Sequence, residues 1–278
     1  MERMVIATIC TRNYLPRARV LASSFKAQVP EGHVHALVLD ALPDDPDEPL
    51  LDVMLPEDVM EADEFARMAT AYDLLELATA MKPTLLRRLL EDHAAVHYLD
   101  PDICFHADPR FLQRRAVEHG IVLTPHLTRP PERVRGGSAG GEDAVLPAGV
   151  FNLGYIGVGA SADPAFLPWW QDRLARDCLN DAAHSRFVDQ RWIDLVPGYF
   201  EHHVESHPGV NLAWWNMPDR LVTRDGGTWQ VDGQPLVFLH ASSVDPSAPD
   251  SWPSHAPSSP AIPRWIRWER RPLSRRCG

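Results

Sequence analysis

The sequence predicts an α/β protein in which short buried strands alternate with amphipathic helices. Three observations carry that expectation. The chain opens on an apolar run, Met4 to Ile9, followed by a polar turn and a helical stretch with apolar positions near Val20, Leu21 and Phe25, the start of a βαβ unit. A second run, Ala95 to Leu99, stops abruptly at Asp100-Pro101-Asp102. A third, Phe151 to Val158, is strand-like and carries Gly154 and Gly157, which allow close approach of a ligand or another backbone.

A chain of 278 residues can form one large α/β domain or two small ones with a substantial core. Its net charge of −11 disfavours a general nucleic-acid surface, which needs positive charge against phosphate. The cysteines Cys10, Cys104, Cys178 and Cys277 are widely separated, without C-x-x-C spacing, so neither a zinc site nor a disulfide framework is indicated. A reducing, cytoplasmic setting is the expectation. Met4 to Ile9 is too short for a signal h-region, and no apolar run reaches membrane-spanning length.

Taken in order, the first strand is followed by the turn Thr11, Arg12, Asn13 and Tyr14, the helix Leu15 to Phe25, and a second strand from His33 to Leu39 ending in Asp40. In such a unit ligands bind beyond the carboxyl ends of the strands. Asn13 and Asp40 therefore read either as ligand-binding groups or as turn and cap residues. From Leu42 to Glu64 the chain is rich in Pro, Asp and Glu and reads as a loop with a short strand at Val53 to Leu55. Apolar residues at helical spacing (Met68, Tyr72, Leu75, Ala78) predict a helix over Ala66 to Ala80, and Lys82-Pro83 opens a second one, Thr84 to Leu90. Lys82 thus stands just ahead of a helix N-terminus, as a phosphate contact or as an ordinary solvated side chain.

Pro109 to His119 reads as helix and Ile121 to Leu123 as strand, whereas Thr124 to Ala148, with Gly136, Gly137, Gly140 and Gly141, reads as a mobile flap or acceptor loop without regular structure. Its glycines lack the P-loop pattern. Pro164 to Leu179 is an amphipathic helix with Trp169 and Trp170 in the core. Asp189 and Gln190 open a further helical segment, Arg191 to Val196, as caps or as sugar-hydroxyl ligands. His202, His203 and His207 suggest a metal, but Pro197, Gly198 and Pro208 argue against the helix that would align them. Asp225-Gly226-Gly227 makes a hairpin turn, and Leu236 to His240 is a last strand. Beyond Ser242 a Pro/Ser-rich linker leads to a tail with six Arg, Trp265, Ile266 and Trp268, which could lie on an anionic membrane surface or pack back onto the acidic body.

The chemistry is concentrated at Asp100-Pro101-Asp102. Residues i and i+2 of an extended segment face the same side, so two acceptor-only carboxylates can meet one object. They hold a hard divalent cation, share a proton, or simply make a turn. The cation is favoured, since an anionic ligand would otherwise be repelled. His240, an imidazole at a strand end, can complete such a shell or be an ordinary satisfied polar residue.

In this order the motifs resemble glycosyltransferases of the GT-A fold, in particular bacterial relatives of glycosyltransferase family 8. The carriers are TICTRNYLPRARVLASSF, MKPTLLRRLL, HYLDPDI, FNLGYIGV, FVDQRWIDL, GVNLAWWN and FLHASS, spanning Met4 to about Pro246. The resemblance implies a Rossmann-like GT-A fold with a mixed, mostly parallel central sheet flanked by helices. It implies a single transferase domain over residues 1–245 and a tail over 246–278. It further implies transfer of a sugar from a nucleotide-sugar donor, with retention, to an acceptor that could be a glycan, a lipid-linked intermediate, a small metabolite or a protein. Asp100, Asp102 and His240 would hold Mn²⁺ or Mg²⁺. Thr8, Arg12, Asn13, Tyr14 and Lys82 would bind the nucleotide. Asn152, Asp189 and Gln190 would be catalytic, with Gly154 and Asn216 against the sugar. One departure stands out: Ser242 and Ser243 follow His240 where the family commonly has Gly, and no Lys follows Lys82, so an Arg of the tail would have to serve the phosphates. Two rivals remain, a non-catalytic nucleotide-sugar-binding subunit and a phosphatase of the haloacid dehalogenase type. The protein is expected in the cytoplasm, or peripheral on the inner face of the membrane through its tail.

Overall fold

The structure, a computed structural model, describes residues 3–40, 48–130 and 142–244. The boundary expected near residue 245 and the basic tail lie outside the described residues. Strand β1 (Val5–Cys10) leads through one turn of 3₁₀ helix at Arg12–Tyr14 into α1 (Leu15–Gln28), then β2 (His33–Val38) and the short β3 (Asp52–Met54). All six residues of β1 are buried, so its run of apolar residues reflects cover on both faces. Val5, Ala7 and Ile9 point into one core and Ile6 and Cys10 into the other, as the period of two requires.

The expected helix over Ala66 to Ala80 is in fact two, α2 (Ala62–Ala71) and α3 (Leu74–Ala80). Tyr72 is extended and Asp73 restarts the helix, accepting from the Glu76 backbone at 2.9 Å while Glu76 accepts from the Asp73 backbone at 3.0 Å. This capping box, D-x-x-E, was written in the sequence beneath a hydrophobic periodicity that runs across it. Next come α4 (Lys82–Leu90), β4 (Ala95–Leu99), β5 (Ile103–Phe105), α5 (Arg110–His119) and β6 (Ile121–Pro125). The stretch expected to lack regular structure is partly ordered: Thr124 and Pro125 belong to β6, and Glu142–Ala148 forms α6. The glycine pairs of that stretch lie outside the described residues.

Strand β7 (Phe151–Gly159) is buried throughout and is followed by α7 (Phe166–Leu174), five residues shorter at its C-terminus than the pattern suggested. Trp170 of α7 is fully buried and Trp169 packs against the same core, as expected. Two short strands, β8 (Asn180–Asp181) and β9 (Arg186–Phe187), precede α8 (Gln190–Ile193), α9 (Val196–Tyr199) and β10 (His203–Val204). The hairpin at Gly226-Gly227, both at positive φ, joins β11 (Val222–Asp225) to β12 (Thr228–Val231). After β13 (Gln234–Pro235) the described chain reaches β14 (Phe238–His240).

The central sheet has seven strands in the order β10-β6-β7-β4-β1-β2-β3. It is mixed and mostly parallel, with β7 antiparallel to both β4 and β6. Helices cover both faces. Outside the sheet, β14 runs antiparallel to β5, pairing His240 with Ile103. Because β5 begins one residue after Asp102, that register carries His240 to the Asp-Pro-Asp turn.

Candidate active site

Asp100 and Asp102 leave the carboxyl end of β4, and His240 ends β14 beside them. His240 Nε2 lies 3.7 Å from Asp100 Oδ2 and 3.4 Å from Asp102 Oδ1. One ligand atom from each of the three lies within 4.8 Å of the others, the single such trio of His, Cys or acidic side chains among the described residues. His202, His203 and His207 do not form one; His203 instead stacks on His119 with centroids 4.8 Å apart.

The donor set fits a divalent cation. Asp102 Oδ1 is buried without a hydrogen-bond partner, a costly state unless a cation meets it. Asn211 Oδ1 faces His240 Nδ1 at 3.1 Å, and a carbonyl oxygen only accepts, so Nδ1 carries the hydrogen and Nε2 is turned to the carboxylates. Burial pulls the His240 pKa down, but Asp102 and Asp100 outweigh it and raise it, so the pocket favours positive charge at Nε2, proton or metal. Burial likewise works against the charge of Asp102, and His240 and Arg17 outweigh it and hold its carboxyl low. Two oxygens and one nitrogen suit a divalent cation and are fewer donors than such an ion takes.

A chain of buried amides sets these groups. Asn211, left-handed at φ 53°, donates from Nδ2 to Thr124 Oγ1 and to Asn152 Oδ1, both at 3.0 Å, which fixes which way its amide faces. Asn152 Oδ1 also accepts from Gly154 N at 3.1 Å. Gln190 Oε1 accepts from Leu153 N at 3.0 Å and Gln190 Nε2 donates to the Ala148 carbonyl at 2.7 Å. Asn216 is buried beneath this network, its amide committed to Ala213 N, Asn211 O and His126 O. It supports the Asn211 backbone and does not line the cavity.

Lys82 is the charged hub of the site. It is 2% exposed, with Nζ 2.9 Å from Asp189 Oδ2, 3.8 Å from Asp100 Oδ1 and 4.4 Å from the Tyr98 ring centroid. It also donates to the Leu153 carbonyl at 2.8 Å. Burial opposes its charge, but Asp189 and Asp100 outweigh burial and raise its pKa. Asp189 is pushed up to about 6 by burial, against the pull of Lys82. Its side chain caps no helix; it faces Lys82. Val188, the β-branched residue before it, sits at φ 42°, a strained conformation on the cavity wall.

Lys82, Asp100, Asn152, Gly154, Asp189, Gln190 and His240 all line one cavity of about 530 Å³, which Phe187, Trp214 and Trp215 also line, Trp215 standing edge-on to His240 with centroids 5.2 Å apart. Four of the five nucleotide-binding candidates stand apart from it. Thr8 is buried in mid-strand with Oγ1 unpartnered, and Arg12, Asn13 and Tyr14 form the exposed turn after β1, where Arg12 N donates to Asp40 Oδ1 at 2.8 Å. Sequence reasoning missed Asn211, Tyr98, whose OH donates to Asp100 Oδ1 at 2.9 Å, and Arg17. Asn211 was legible only as part of the motif GVNLAWWN.

No family model matches the chain. It is 26% identical to the uncharacterized protein YfnF of Bacillus subtilis over 208 residues, 68% of this chain and 63% of YfnF. It is 25% identical to the uncharacterized YfnD of the same organism over 257 residues, 87% of this chain and 78% of YfnD. The match to YfnF therefore spans somewhat under two thirds of that relative. Among solved structures, the chain is similar to the galactosyltransferase LgtC in complex with donor and acceptor sugar analogs. The TM-score is 0.54 at 15% identity, covering 87% of this chain and 89% of LgtC. An active-site mutant of LgtC gives 0.52 at 14% identity, covering 86% and 87%. The architecture is thus the GT-A fold. Among the described residues no helix is long and apolar enough to cross a membrane.

Proposed function

We propose that the protein is a metal-dependent glycosyltransferase that moves a sugar from a nucleoside-diphosphate sugar to a sugar-bearing acceptor, with retention. One observation carries the reading: on a GT-A sheet, an oxygen, oxygen and imidazole trio opens beside a cavity lined by an amide network and a buried carboxylate. LgtC, the fold neighbour, binds donor and acceptor sugar analogs, which supports a sugar on both sides of the reaction.

Asp100, Asp102 and His240 would hold Mn²⁺ or Mg²⁺. Bound there, the ion supplies Lewis-acid stabilisation of negative charge on a departing diphosphate. The protein's own groups do the rest. Asn211 keeps His240 in the tautomer that presents Nε2. Lys82 keeps the Asp189 carboxylate in place, and Gln190 and Lys82 together clamp the Leu153 peptide next to it. Asn152, Asp189 and Gln190 then present fixed polar groups to a sugar in the cavity, where preorganised dipoles act without reorganising. Gln190 and Asp189 are assigned to supporting the cationic face of the sugar.

Titration calorimetry with a panel of nucleoside diphosphates, with and without Mn²⁺, tests the site, and product formation from the matching nucleotide-sugars tests turnover. Tight binding that requires metal and is lost in Asp102→Ala is expected. Absence of binding in the wild type refutes the reading. Binding without product under any acceptor would leave a nucleotide-sugar-binding subunit instead.

A further inference from the structure

Asp102 is flanked by two basic side chains from distant parts of the chain. His240 stands at Oδ1, and at Oδ2 stands Arg17, in the first turn of α1, with Nη1 4.0 Å away. That distance is too long for the forked hydrogen bonds an arginine makes with a carboxylate. The guanidinium is positioned by other contacts: it lies over the Tyr14 ring, 4.9 Å from the centroid, and Nη2 donates to the Val244 carbonyl at 3.1 Å. A guanidinium has five N–H hydrogens, and the carbonyl takes one. Arg17 is also 28% exposed in its side chain, so its remaining donors are within reach of a ligand.

Lys82 differs on each count. It is 2% exposed and occupied by Asp189 and the Leu153 carbonyl. Among the described residues the other basic neighbours of the two carboxylates are His240, itself one of the trio, and Arg17, which is partly exposed. On a chain of net charge −11, a diphosphate at this place needs local positive charge beyond a metal ion.

We propose that Arg17 is a diphosphate-binding residue of the donor site. Its free N–H groups take non-bridging phosphate oxygens of a nucleoside diphosphate seated at Asp102, on the side away from His240. Tyr14 holds the guanidinium plane ready for that contact, which assigns the exposed tyrosine a supporting role. The inference rests on the proposed reading of the site as a nucleotide-sugar donor site.

The effects on metal and on nucleotide have opposite signs, and this makes the proposal testable. A cation beside Asp102 opposes a metal ion and attracts a phosphate. The full chain, Arg17→Gln and Arg17→Lys are titrated with Mn²⁺ alone and then, at saturating Mn²⁺, with the panel of nucleoside diphosphates. Arg17→Gln should bind the diphosphate 10- to 100-fold more weakly, a range set by charge-assisted hydrogen bonds to phosphate, while binding Mn²⁺ as well as or better than the wild type. Arg17→Lys should recover part of the loss. Diphosphate affinity within twofold of wild type in Arg17→Gln overturns the proposal and leaves the donor site intact. Parallel loss of Mn²⁺ and diphosphate affinity also overturns it, since Arg17 would then only position Asp102. If the wild type binds no diphosphate with Mn²⁺, the donor-site reading fails and Arg17 with it. Thermal unfolding of each variant checks that it is folded.

Discussion

Gly154→Ala should disable the metal site without replacing any proposed metal ligand. Gly154 lies in β7, which is paired on both sides, and its carbonyl accepts from Asp100 N at 2.9 Å, so the backbone is held in place. A Cβ at this position would stand 2.2 Å from His240 Cε1, 2.6 Å from His240 Nδ1 and 2.9 Å from Asn152 Oδ1. To reach ordinary contact at 3.4 Å the imidazole must retreat by about 1.2 Å, and its hydrogen bond to Asn211 lies on the crowded side. Overpacking of this kind costs about 1–3 kcal/mol of stability. Displacing an oriented ligand typically lowers metal affinity by about 10- to 100-fold.

Two measurements separate these effects. Calorimetry with Mn²⁺ reads affinity directly. Thermal unfolding reads linkage, because the wild type at about 100-fold Mn²⁺ over its dissociation constant gains roughly 2.7 kcal/mol, a gain the variant should largely lose. Gly198→Ala serves as control, since a Cβ there meets nothing within 4 Å. If Gly154→Ala binds Mn²⁺ within twofold of wild type, the assignment of His240 as a ligand held by this packing is wrong.

Lys82→Met should destabilise the fold by about 3–5 kcal/mol near pH 8, because Asp189, 1% exposed, loses its counter-ion. The loss should shrink near pH 5, where the carboxyl takes up a proton, and pairing the change with Asp189→Asn should restore much of it; urea unfolding measures both. A separate acid effect comes from His97 and His126, which burial pushes down to about 4. His97 is neutral in the fold, between Tyr155 OH at 3.1 Å and Gln113 Oε1 at 2.9 Å. The unfolded chain, with an ordinary histidine pKa of 6.5, takes the proton first, so the stability each residue provides is complete above pH 6.5 and is lost as pH falls towards 4. By pH 5 the loss is about 2 kcal/mol per histidine. Urea unfolding at pH 7.5 and 5 should show a smaller acid loss in His97→Gln than in the wild type, and an equal loss would contradict the account.

The sequence by itself determined what is local. Strand β4 and its stop at Asp100-Pro101-Asp102, the capping-box signal at Asp73 and Glu76, and the glycine turn of the β11–β12 hairpin are set by residues within a few positions of one another. The strand β1, buried on both faces, could likewise be read from its composition. Only tertiary structure decided what those pieces meet. His240 was readable as a histidine at a strand's end, but its place beside Asp102 follows from the β14–β5 register across more than a hundred residues. Lys82 read as a residue ahead of a helix; burial between Asp189, Asp100 and Tyr98 made it the counter-charge of the site. Asn211 and Arg17 gave no local signal, because a hydrogen bond to His240 and a cation beside Asp102 depend on which chain segments the sheet order brings together. Periodicity and turn chemistry act over one or two turns of chain, whereas register, desolvation and charge pairing act between surfaces and exist only once those surfaces are in contact.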